Sequence, residues 1–249
     1  MNAIRVMLIP FLVVAAGSAS LAQAEGKHWS YGKHGGPADW GEVDPAFASC
    51  QLGKVQSPID IRDAKVADLP AIKFDYQPAP LRVIDNGHTI QVNYPPGSSI
   101  DVGGTRYELV QFHFHRPSEE KVDGKAHAMV AHLVHKGADG KLAVVAVLLD
   151  KGLDNPTIHA IWSHLPKQKE KEVAAPVTID AARLLPSDKG YYTFEGSLTT
   201  PPCSEGVRWF VLKKPMTLTT GELTAFGKIY PMNARPDQPL NGRTVETTR

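Results

Sequence analysis

The sequence predicts a mainly β, α+β protein built as a single domain. Several stretches alternate apolar and polar residues, which is typical of strands that bury one face. Helical patterns are few and short, and the 249 residues contain no internal repeat, low-complexity tract or linker. Hydrophobic residues make up 42% of the chain, which is enough for a substantial core. Many strands, few helices and no visible boundary favour one sheet-based domain.

The N-terminus has the pattern of a secretory signal peptide. Arg5 precedes the apolar run from Val6 to Ala16, and small residues then lead to Ala22-Gln23-Ala24, an A-x-A cleavage site. The alternative, a membrane anchor, would need about 20 apolar residues. We therefore expect residues 1–24 to be cleaved. The mature domain, residues 25–249, would then be periplasmic or secreted, with no membrane attachment.

Charge and cysteine content narrow the partners and the compartment. The 27 basic and 26 acidic side chains are interleaved and give a net charge of +1, which argues against nucleic acid or a polybasic membrane contact. The two cysteines, Cys50 and Cys203, favour a disulfide in an exported protein, and buried free thiols are the alternative. Closing so long a loop would stabilise the fold by roughly 5 kcal/mol. A bond between an early and a late segment also argues for one domain.

The first half of the chain predicts irregular structure followed by strands. The segment from Trp29 to Trp40 is rich in aromatic residues and glycine, so we expect an irregular region packed by its rings. Ser57 to Ile61 alternates and predicts a short strand. Asn86-Gly87 predicts a turn, because both residues tolerate positive φ. A strand from His88 to Tyr94 follows, and Pro95-Pro96-Gly97 ends it.

The second half alternates strands with short helices. The turn at Asp123-Gly124 lies between two alternating stretches, and a continuous apolar run that follows them predicts a strand buried on both faces. Asn155 and Pro156 suit the N-cap and first position of a helix, and Thr220 could cap another. The predicted strands are Arg106 to His115, Ala126 to His135, Leu142 to Leu149, Tyr191 to Phe194 and Val207 to Lys213. The predicted helices run to about Leu165, over Asp180 to Leu185, and to about Tyr230.

The stretch Gln111-Phe112-His113-Phe114-His115 carries the clearest chemical signal. In a strand, side chains alternate between two faces. Tyr107, Leu109, Gln111, His113 and His115 would share one face, and Val110, Phe112 and Phe114 the other. Two imidazoles one pleat apart can bind a metal ion.

His132, on the next long strand, is the natural third ligand. Three protein ligands with an open fourth position are typical of catalytic zinc, whereas structural zinc sites usually have four ligands. The alternative is that these histidines are surface residues or hydrogen-bonded core residues.

Nine stretches of the sequence strongly resemble the α-class carbonic anhydrases of the exported bacterial type. They occur in the same order as in that family and extend over nearly the whole mature chain. The resemblance implies a large central, mostly antiparallel twisted sheet with a few short peripheral helices. The matching stretches are Trp29-Ser30-Tyr31-Gly32-Lys33-His34, Gln56-Ser57-Pro58-Ile59-Asp60-Ile61, Asn86-Gly87-His88, Gln111-Phe112-His113-Phe114-His115, Pro117-Ser118-Glu119, Ala131-His132-Leu133-Val134-His135, Ser197-Leu198-Thr199-Thr200-Pro201-Pro202, Asn233-Ala234-Arg235-Pro236 and Gln238-Pro239-Leu240-Asn241.

The resemblance implies reversible hydration of carbon dioxide to bicarbonate and a proton, by attack of zinc-bound hydroxide. One Zn²⁺ per chain would be held by His113, His115 and His132. Thr199 would accept a hydrogen bond from the hydroxide and donate to Glu119, and His88 would shuttle the proton. The resemblance also implies inhibition by sulfonamides and small anions, a monomer or homodimer, and weak ester hydrolysis as a side activity.

The remaining roles follow from the same resemblance. Gln111 would orient His113, and Cys50 and Cys203 match the disulfide of exported members. The polar wall that orders water would be Tyr31, Gln91 and Thr200. The apolar wall that holds carbon dioxide would be Val134, Val144, Leu198, Val207 and Trp209. The other histidines, His28, His34, His127, His135, His159 and His164, would be structural or surface residues.

One position departs from the family pattern. Two residues before the third ligand, where the family typically has a Glu that orients this imidazole, the chain has Val130. Loss of such a partner typically costs about 10–100-fold in metal affinity or activity. We expect either weaker zinc retention or a substitute acceptor from the backbone or a neighbouring side chain. Glu120 also replaces a residue that is often His in the family, with an effect that the sequence leaves open.

Two other interpretations remain at this point. The spacing His113-x-His115-x-x-x-Glu119 also fits a cupin motif, in which Glu119 would itself bind iron or manganese. A non-catalytic member of the resembled family would keep the fold and bind a partner or carbohydrate instead. The intact three histidines and Thr199 speak against the second interpretation, because degenerate members generally lose ligands.

Overall fold

The computed structural model of the protein describes residues 28–249. The predicted signal peptide, residues 1–24, lies outside these residues. Within the described part of the chain, no helix is long and apolar enough to cross a membrane. The helices are α1 (Trp40–Val43), α2 (Ser49–Leu52), α3 (Pro156–Trp162) and α4 (Thr220–Ile229), with 3-10 turns at Pro45–Phe47 and Ala181–Leu184.

Strands dominate the structure. They are β1 (Asp60–Ile61), β2 (Lys65–Val66), β3 (Ile72–Asp75), β4 (Ala79–Asp85), β5 (Ile90–Asn93), β6 (Ser99–Val102), β7 (Thr105–His115), β8 (Lys121–Val122), β9 (Lys125–Ala126), β10 (Met129–Gly137), β11 (Leu142–Lys151), β12 (Val173–Ile179), β13 (Tyr191–Ser197), β14 (Glu205–Leu218) and β15 (Glu246–Thr247).

Twelve of the strands form one large twisted sheet. Its main path runs β12-β4-β5-β7-β10-β11-β14-β13-β15-β2, and β6 and β3 extend from β7. Most neighbours are antiparallel, while the pairs β11–β14 and β15–β2 are parallel. Strands β1, β8 and β9 form a separate small sheet. The predicted single, mainly β domain with a large, mostly antiparallel sheet and short helices is confirmed.

Capping explains where the two longer helices begin. The Asn155 side chain accepts hydrogen bonds from the Thr157 and Ile158 amides, as its position before Pro156 predicts. Helix α4 is capped by Thr219, one residue earlier than predicted. Thr219 and Glu222 form a reciprocal capping box, which satisfies two backbone donors instead of one.

A β-bulge in β7 makes part of the predicted face assignment wrong. In the pairing with β10, Gln111 lies opposite Val134, but Leu109 lies opposite His135, so Val110 is an extra residue. Beyond the bulge the alternation is reversed. Leu109 is therefore buried in the same core as Phe112, while Val110 is 45% exposed.

The main sheet separates two apolar clusters. The larger core cluster contains Phe112, Phe114, Met129, Ala131 and Leu133. The smaller core cluster contains Ile59, Val130, Val144, Val207 and Trp209. The imidazoles of His113 and His132 are on the faces of β7 and β10 opposite Phe112, Phe114, Ala131 and Leu133, because neighbouring strand residues point to opposite sides.

The Cys50–Cys203 disulfide is present, with a sequence separation of 153 residues. It packs with the buried ring of Trp40, against which Trp29 and Tyr31 also pack. The aromatic N-terminal segment is therefore tied to the turn that follows β13. This turn carries two predicted site residues, Thr199 and Thr200.

Candidate metal centre

Strand pairing brings the three predicted metal-binding histidines together. His113 on β7 lies directly opposite His132 on β10, and His115 lies opposite Val130, one pleat away. The ring centroids are 5.0 Å apart for His113 and His115, 5.5 Å for His113 and His132, and 4.8 Å for His115 and His132. One ring nitrogen from each residue lies within 4.8 Å of the other two. This spacing suits a single ion.

Hydrogen bonds determine which nitrogen of His113 and His115 is free. Nδ1 of His113 donates to the Gln111 side-chain oxygen at 2.8 Å, as predicted for this partner. Nδ1 of His115 donates to the backbone oxygen of Asn233 at 2.7 Å. Each ring therefore has Nε2 free as a potential ligand. Nε2 of His115 is buried and has no hydrogen-bond partner among the described residues.

His132 is hydrogen-bonded through Nε2, whereas His113 and His115 are hydrogen-bonded through Nδ1. Its Nε2 lies 3.1 Å from Oε2 and 3.0 Å from Oε1 of Glu120, whereas its Nδ1 is 3.8 Å from Glu119. Nδ1 is therefore the free ligand atom of this ring. The sequence left the effect of Glu120 open, and the only signal that could have identified it is a second carboxylate directly after Glu119.

Burial and neighbouring charges shift the pKa values of the three imidazoles in different directions. Burial, together with His132, lowers the pKa of His113 to about 3, and burial and both neighbouring imidazoles lower the pKa of His115 well below its usual value. Burial also lowers the pKa of His132, but the carboxylates of Glu120 and Glu119 outweigh this effect and shift it upward. His113 and His115 are therefore neutral near pH 7.

The donor set fits a zinc ion. Three imidazole nitrogens converge, and the partnerless Nε2 of His115 is a buried polar atom that a cation would satisfy. The hydrogen bonds to Gln111, Asn233 and Glu120 occupy the opposite ring nitrogens, which is the usual arrangement around histidine metal ligands. Neither cysteine can supply a thiolate ligand, since both are in the disulfide.

Glu119 and Thr199 lie beside the histidines. Oε1 of the buried Glu119 accepts a hydrogen bond from the Arg235 amide at 2.7 Å, and Oε2 has no partner among the described residues. Burial is the main cause that raises the Glu119 pKa to about 7. His132 opposes this rise, Glu120 adds to it, and the nearby Thr199 hydroxyl lowers the pKa. Thr199 is itself 5% exposed, so its hydroxyl is shielded from bulk water.

The residues of the predicted apolar wall lie in one region, which includes a neighbour of His132. Val144 on β11 lies opposite Val134 on β10 and opposite Trp209 on β14. The Trp209 ring centroid is 4.9 Å from that of His132, at 77°. Val134 and Leu198 are partly buried and pack against the smaller core cluster, to which Val144, Val207 and Trp209 belong. The structure therefore brings the five predicted wall residues into one cluster.

The predicted polar residues come from three separate parts of the fold. Gln91 on β5 lies opposite His113, and its side chain is hydrogen-bonded to Asn86 and Asn93. The Tyr31 hydroxyl is buried without a partner in the described region, and burial raises its pKa. The backbone oxygen of Thr200 accepts from the Cys203 amide at 2.8 Å within the turn after β13.

His88 is half-buried and stacks on an aromatic ring. Its imidazole lies 3.6 Å from the Trp29 ring at an angle of 8°, and 5.0 Å from that of His28. Burial, His28 and Lys169 lower the His88 pKa to about 4. Within residues 28–249, no side-chain hydrogen bond joins His88 to the three histidines. The predicted proton shuttle therefore has no direct hydrogen bond from its side chain to the three histidines.

Comparison with known proteins assigns this arrangement to a family. The model of the eukaryotic-type carbonic anhydrases matches residues 35–249. A carbonic anhydrase of Nostoc sp. is 44% identical over 233 residues, covering 91% of this chain and 88% of that protein. One from Klebsiella pneumoniae is 45% identical over 221 residues, covering 88% and 90%. The solved complex of the α-carbonic anhydrase from Thermovibrio ammonificans with sulfanilamide has a TM-score of 0.86 at 41% identity, covering 90% and 100%.

Proposed function

Because the chain belongs to the eukaryotic-type carbonic anhydrase family, whose members are enzymes of the lyase class, we propose that it catalyses the zinc-dependent, reversible hydration of carbon dioxide to bicarbonate and a proton. The observation that supports this most directly is the convergence of three imidazole nitrogens beside an apolar wall. Family membership removes the support for a cupin-type oxygenase, because the matched family accounts for residues 35–249.

Nε2 of His113, Nε2 of His115 and Nδ1 of His132 would hold one Zn²⁺ per chain. When bound to three imidazole ligands, zinc would act as a Lewis acid and lower the pKa of a bound water to about 7. Gln111 and the Asn233 carbonyl each accept from the opposite nitrogen and so hold the rings of His113 and His115 in the tautomer that presents Nε2.

Thr199 and Glu119 would orient the attacking oxygen. If Thr199 donates its hydroxyl proton to Glu119, the Thr199 oxygen is left as an acceptor only. A hydrogen on the attacking oxygen can then bond to Thr199, and a lone pair points at the carbon of the substrate. Arg235 supports this arrangement, because its amide holds the Glu119 carboxyl at 2.7 Å.

The apolar wall would hold the substrate. Carbon dioxide has no net dipole, so a surface made by Val144, Val207 and Trp209 can bind it by displacing water. Val134 and Leu198 extend this surface. Bicarbonate is charged and gains less from apolar contact, so the same wall favours its release.

Proton transfer to solvent would use the polar side. At neutral pH the His88 imidazole is unprotonated, since its pKa is lowered to about 4, which makes it a weaker proton acceptor in this position than a free imidazole. Tyr31, Gln91 and Thr200 would order the intervening water. The stack on Trp29 holds the half-buried His88 imidazole in its present orientation.

The compartment and inhibitors follow the same reasoning. Cleavage after residue 24 and export would place residues 25–249 in the periplasm or outside the cell, where the Cys50–Cys203 bond is stable. Sulfonamides and small anions would inhibit by binding the metal, as sulfanilamide is bound by the Thermovibrio ammonificans enzyme. The protein would act as a monomer or homodimer, with weak ester hydrolysis as a side activity.

The decisive experiment measures zinc content by mass spectrometry together with stopped-flow carbon dioxide hydration, with and without a sulfonamide. We expect one zinc per chain and hydration that the sulfonamide abolishes. A protein that carries a full complement of zinc and does not hydrate carbon dioxide would refute the proposed reaction.

A further inference from the structure

The carboxylate of Glu120 is buried and bonded to His132. Glu120 is 0% exposed, and both of its carboxylate oxygens lie within 3.1 Å of Nε2 of His132. A buried carboxylate without a polar partner would be strongly unfavourable. Within the described part of the chain, the Glu120 carboxylate is hydrogen-bonded to the side chain of His132.

The strand position next to His132 supplies no acceptor. Val130 is two residues before His132 on β10, so the two side chains are on the same face. Val130 is fully buried and belongs to the smaller core cluster. An acceptor for Nε2–H must therefore come from another element of the fold.

Glu120 comes from the segment between β7 and β8, and Ser118 holds this segment in place. The Ser118 amide donates to the backbone oxygen of His127 at 3.1 Å, and the Ser118 hydroxyl accepts from the His127 amide at 2.8 Å. The same hydroxyl donates to the backbone oxygen of Glu120 at 2.7 Å. These bonds join the segment to the residues just before β10, which carries His132.

We propose that Glu120 is the positioning residue for His132, holding its proton on Nε2 and its ring in the orientation that presents Nδ1 to the metal, in place of a carboxylate at position 130. This inference rests on the proposed zinc site. The chain thus keeps a carboxylate beside its third ligand but supplies it from a loop twelve residues earlier instead of from the strand.

The test compares four proteins: wild type, Glu120→Ala, Val130→Glu and the double variant Glu120→Ala/Val130→Glu. Each is loaded with zinc, and the dissociation rate is measured with a chromogenic chelator in excess. We expect zinc to leave Glu120→Ala about 10–100-fold faster than the wild type. Val130→Glu alone should hold zinc no more tightly, because Nε2–H is already bonded. The double variant should return to within about threefold of the wild-type rate, because position 130 then supplies the acceptor.

A second readout reports the ring itself. In the metal-free proteins, proton–nitrogen NMR of the histidine side chains should show a protected Nε2–H signal for His132. We expect this signal to disappear in Glu120→Ala and to return in the double variant. A purely structural role for Glu120 would change stability without restoring this signal from position 130.

Glu222→Gln is the matched control, because Glu222 is also buried but lies in the α4 capping box and is not part of the cluster of His113, His115 and His132. It should release zinc at the wild-type rate. If the wild type binds no zinc, the proposed function fails whatever Glu120 does. If the wild type binds zinc and Glu120→Ala releases it at the wild-type rate with the Nε2–H signal intact, the role of Glu120 is refuted and the proposed function stands.

Should Glu120→Ala not fold, the double variant decides. Slow zinc release and a protected Nε2–H signal would support the inference. Release at least tenfold faster than in the wild type would overturn it.

Discussion

Two histidines on β10 have opposite environments, although both are fully buried. His132 lies between the carboxylates of Glu119 and Glu120, which shift its pKa upward. His135, three residues later, has its Nε2 2.8 Å from the Tyr76 hydroxyl, and burial lowers its pKa to about 3. An odd spacing along a strand places side chains on opposite faces. Burial alone therefore gives a neutral structural histidine, whereas converging imidazoles and carboxylates give a site that can bind a metal.

The largest difference in zinc content and activity should be between a variant that lacks His115 and a variant that lacks His135, on the opposite face of the sheet. We expect His115→Ala to lose zinc and to lower the hydration rate on the order of 1,000-fold or more, because the metal generates the nucleophile. His135→Gln should keep both zinc and activity and lose only about 1–3 kcal/mol of stability, from a disturbed buried hydrogen bond. Metal analysis, stopped-flow kinetics and denaturant unfolding measure these effects. Unchanged activity in His115→Ala would refute the ligand assignment.

Replacing Thr199 tests whether catalysis requires the Thr199 hydroxyl in addition to the three histidines. We expect Thr199→Val to lower kcat/KM about 100-fold, the cost of losing one oriented hydrogen-bonding group in a catalytic site. Zinc content should not change, since Thr199 is not a ligand. Thr199→Ser keeps the hydroxyl and serves as the control, with activity within about fivefold of the wild type. Equal losses in Val and Ser variants would show that packing, and not the hydroxyl, is what matters.

His135, on the opposite face of β10, should change how the stability of the fold depends on pH. His135 has a folded pKa of about 3, below its usual 6.5, so between these values the unfolded chain binds more protons. Its contribution to stability is complete above pH 6.5, falls as the pH decreases, and levels off below pH 3. We expect the stability lost between pH 7 and pH 4 to be about 3 kcal/mol smaller in His135→Gln than in the wild type. Identical pH profiles would contradict this role.

Replacing His88 should have the smallest effect on activity, and only at low buffer concentration. His88 is half-buried and is not among the three clustered histidines, so His88→Ala should keep zinc. We expect kcat to fall about 10-fold in dilute buffer, at or below the lower end of general acid–base contributions, and to recover when imidazole is added. His159→Ala is the control, because His159 is an exposed histidine on α3. A loss that imidazole does not restore would argue against proton transfer.

Much of the fold and the site could be predicted because the signals are local. Alternation along β7 and β10 and the continuous apolar run of β11 predict strands, and Asn155 before Pro156 predicts a capped helix, because each depends on neighbouring residues. The spacing His113-x-His115 places two imidazoles on one face through the pleat alone.

Other features depend on partners that are distant along the chain. The bulge at Val110, which moves Leu109 into the core, arises from pairing with β10. The stacking of His88 on Trp29 joins segments about sixty residues apart.

The sequence by itself determined the strand pattern, the three candidate ligands and the cysteine pair, because residue type and spacing are sufficient for each. Only the tertiary structure decided which acceptor serves His132. Val130 and Glu120 both precede it in the sequence, but Glu120 is in a segment without periodicity, so its direction is not encoded by spacing. The Ser118 bonds and the packing of this segment against the start of β10 bring the carboxylate to Nε2.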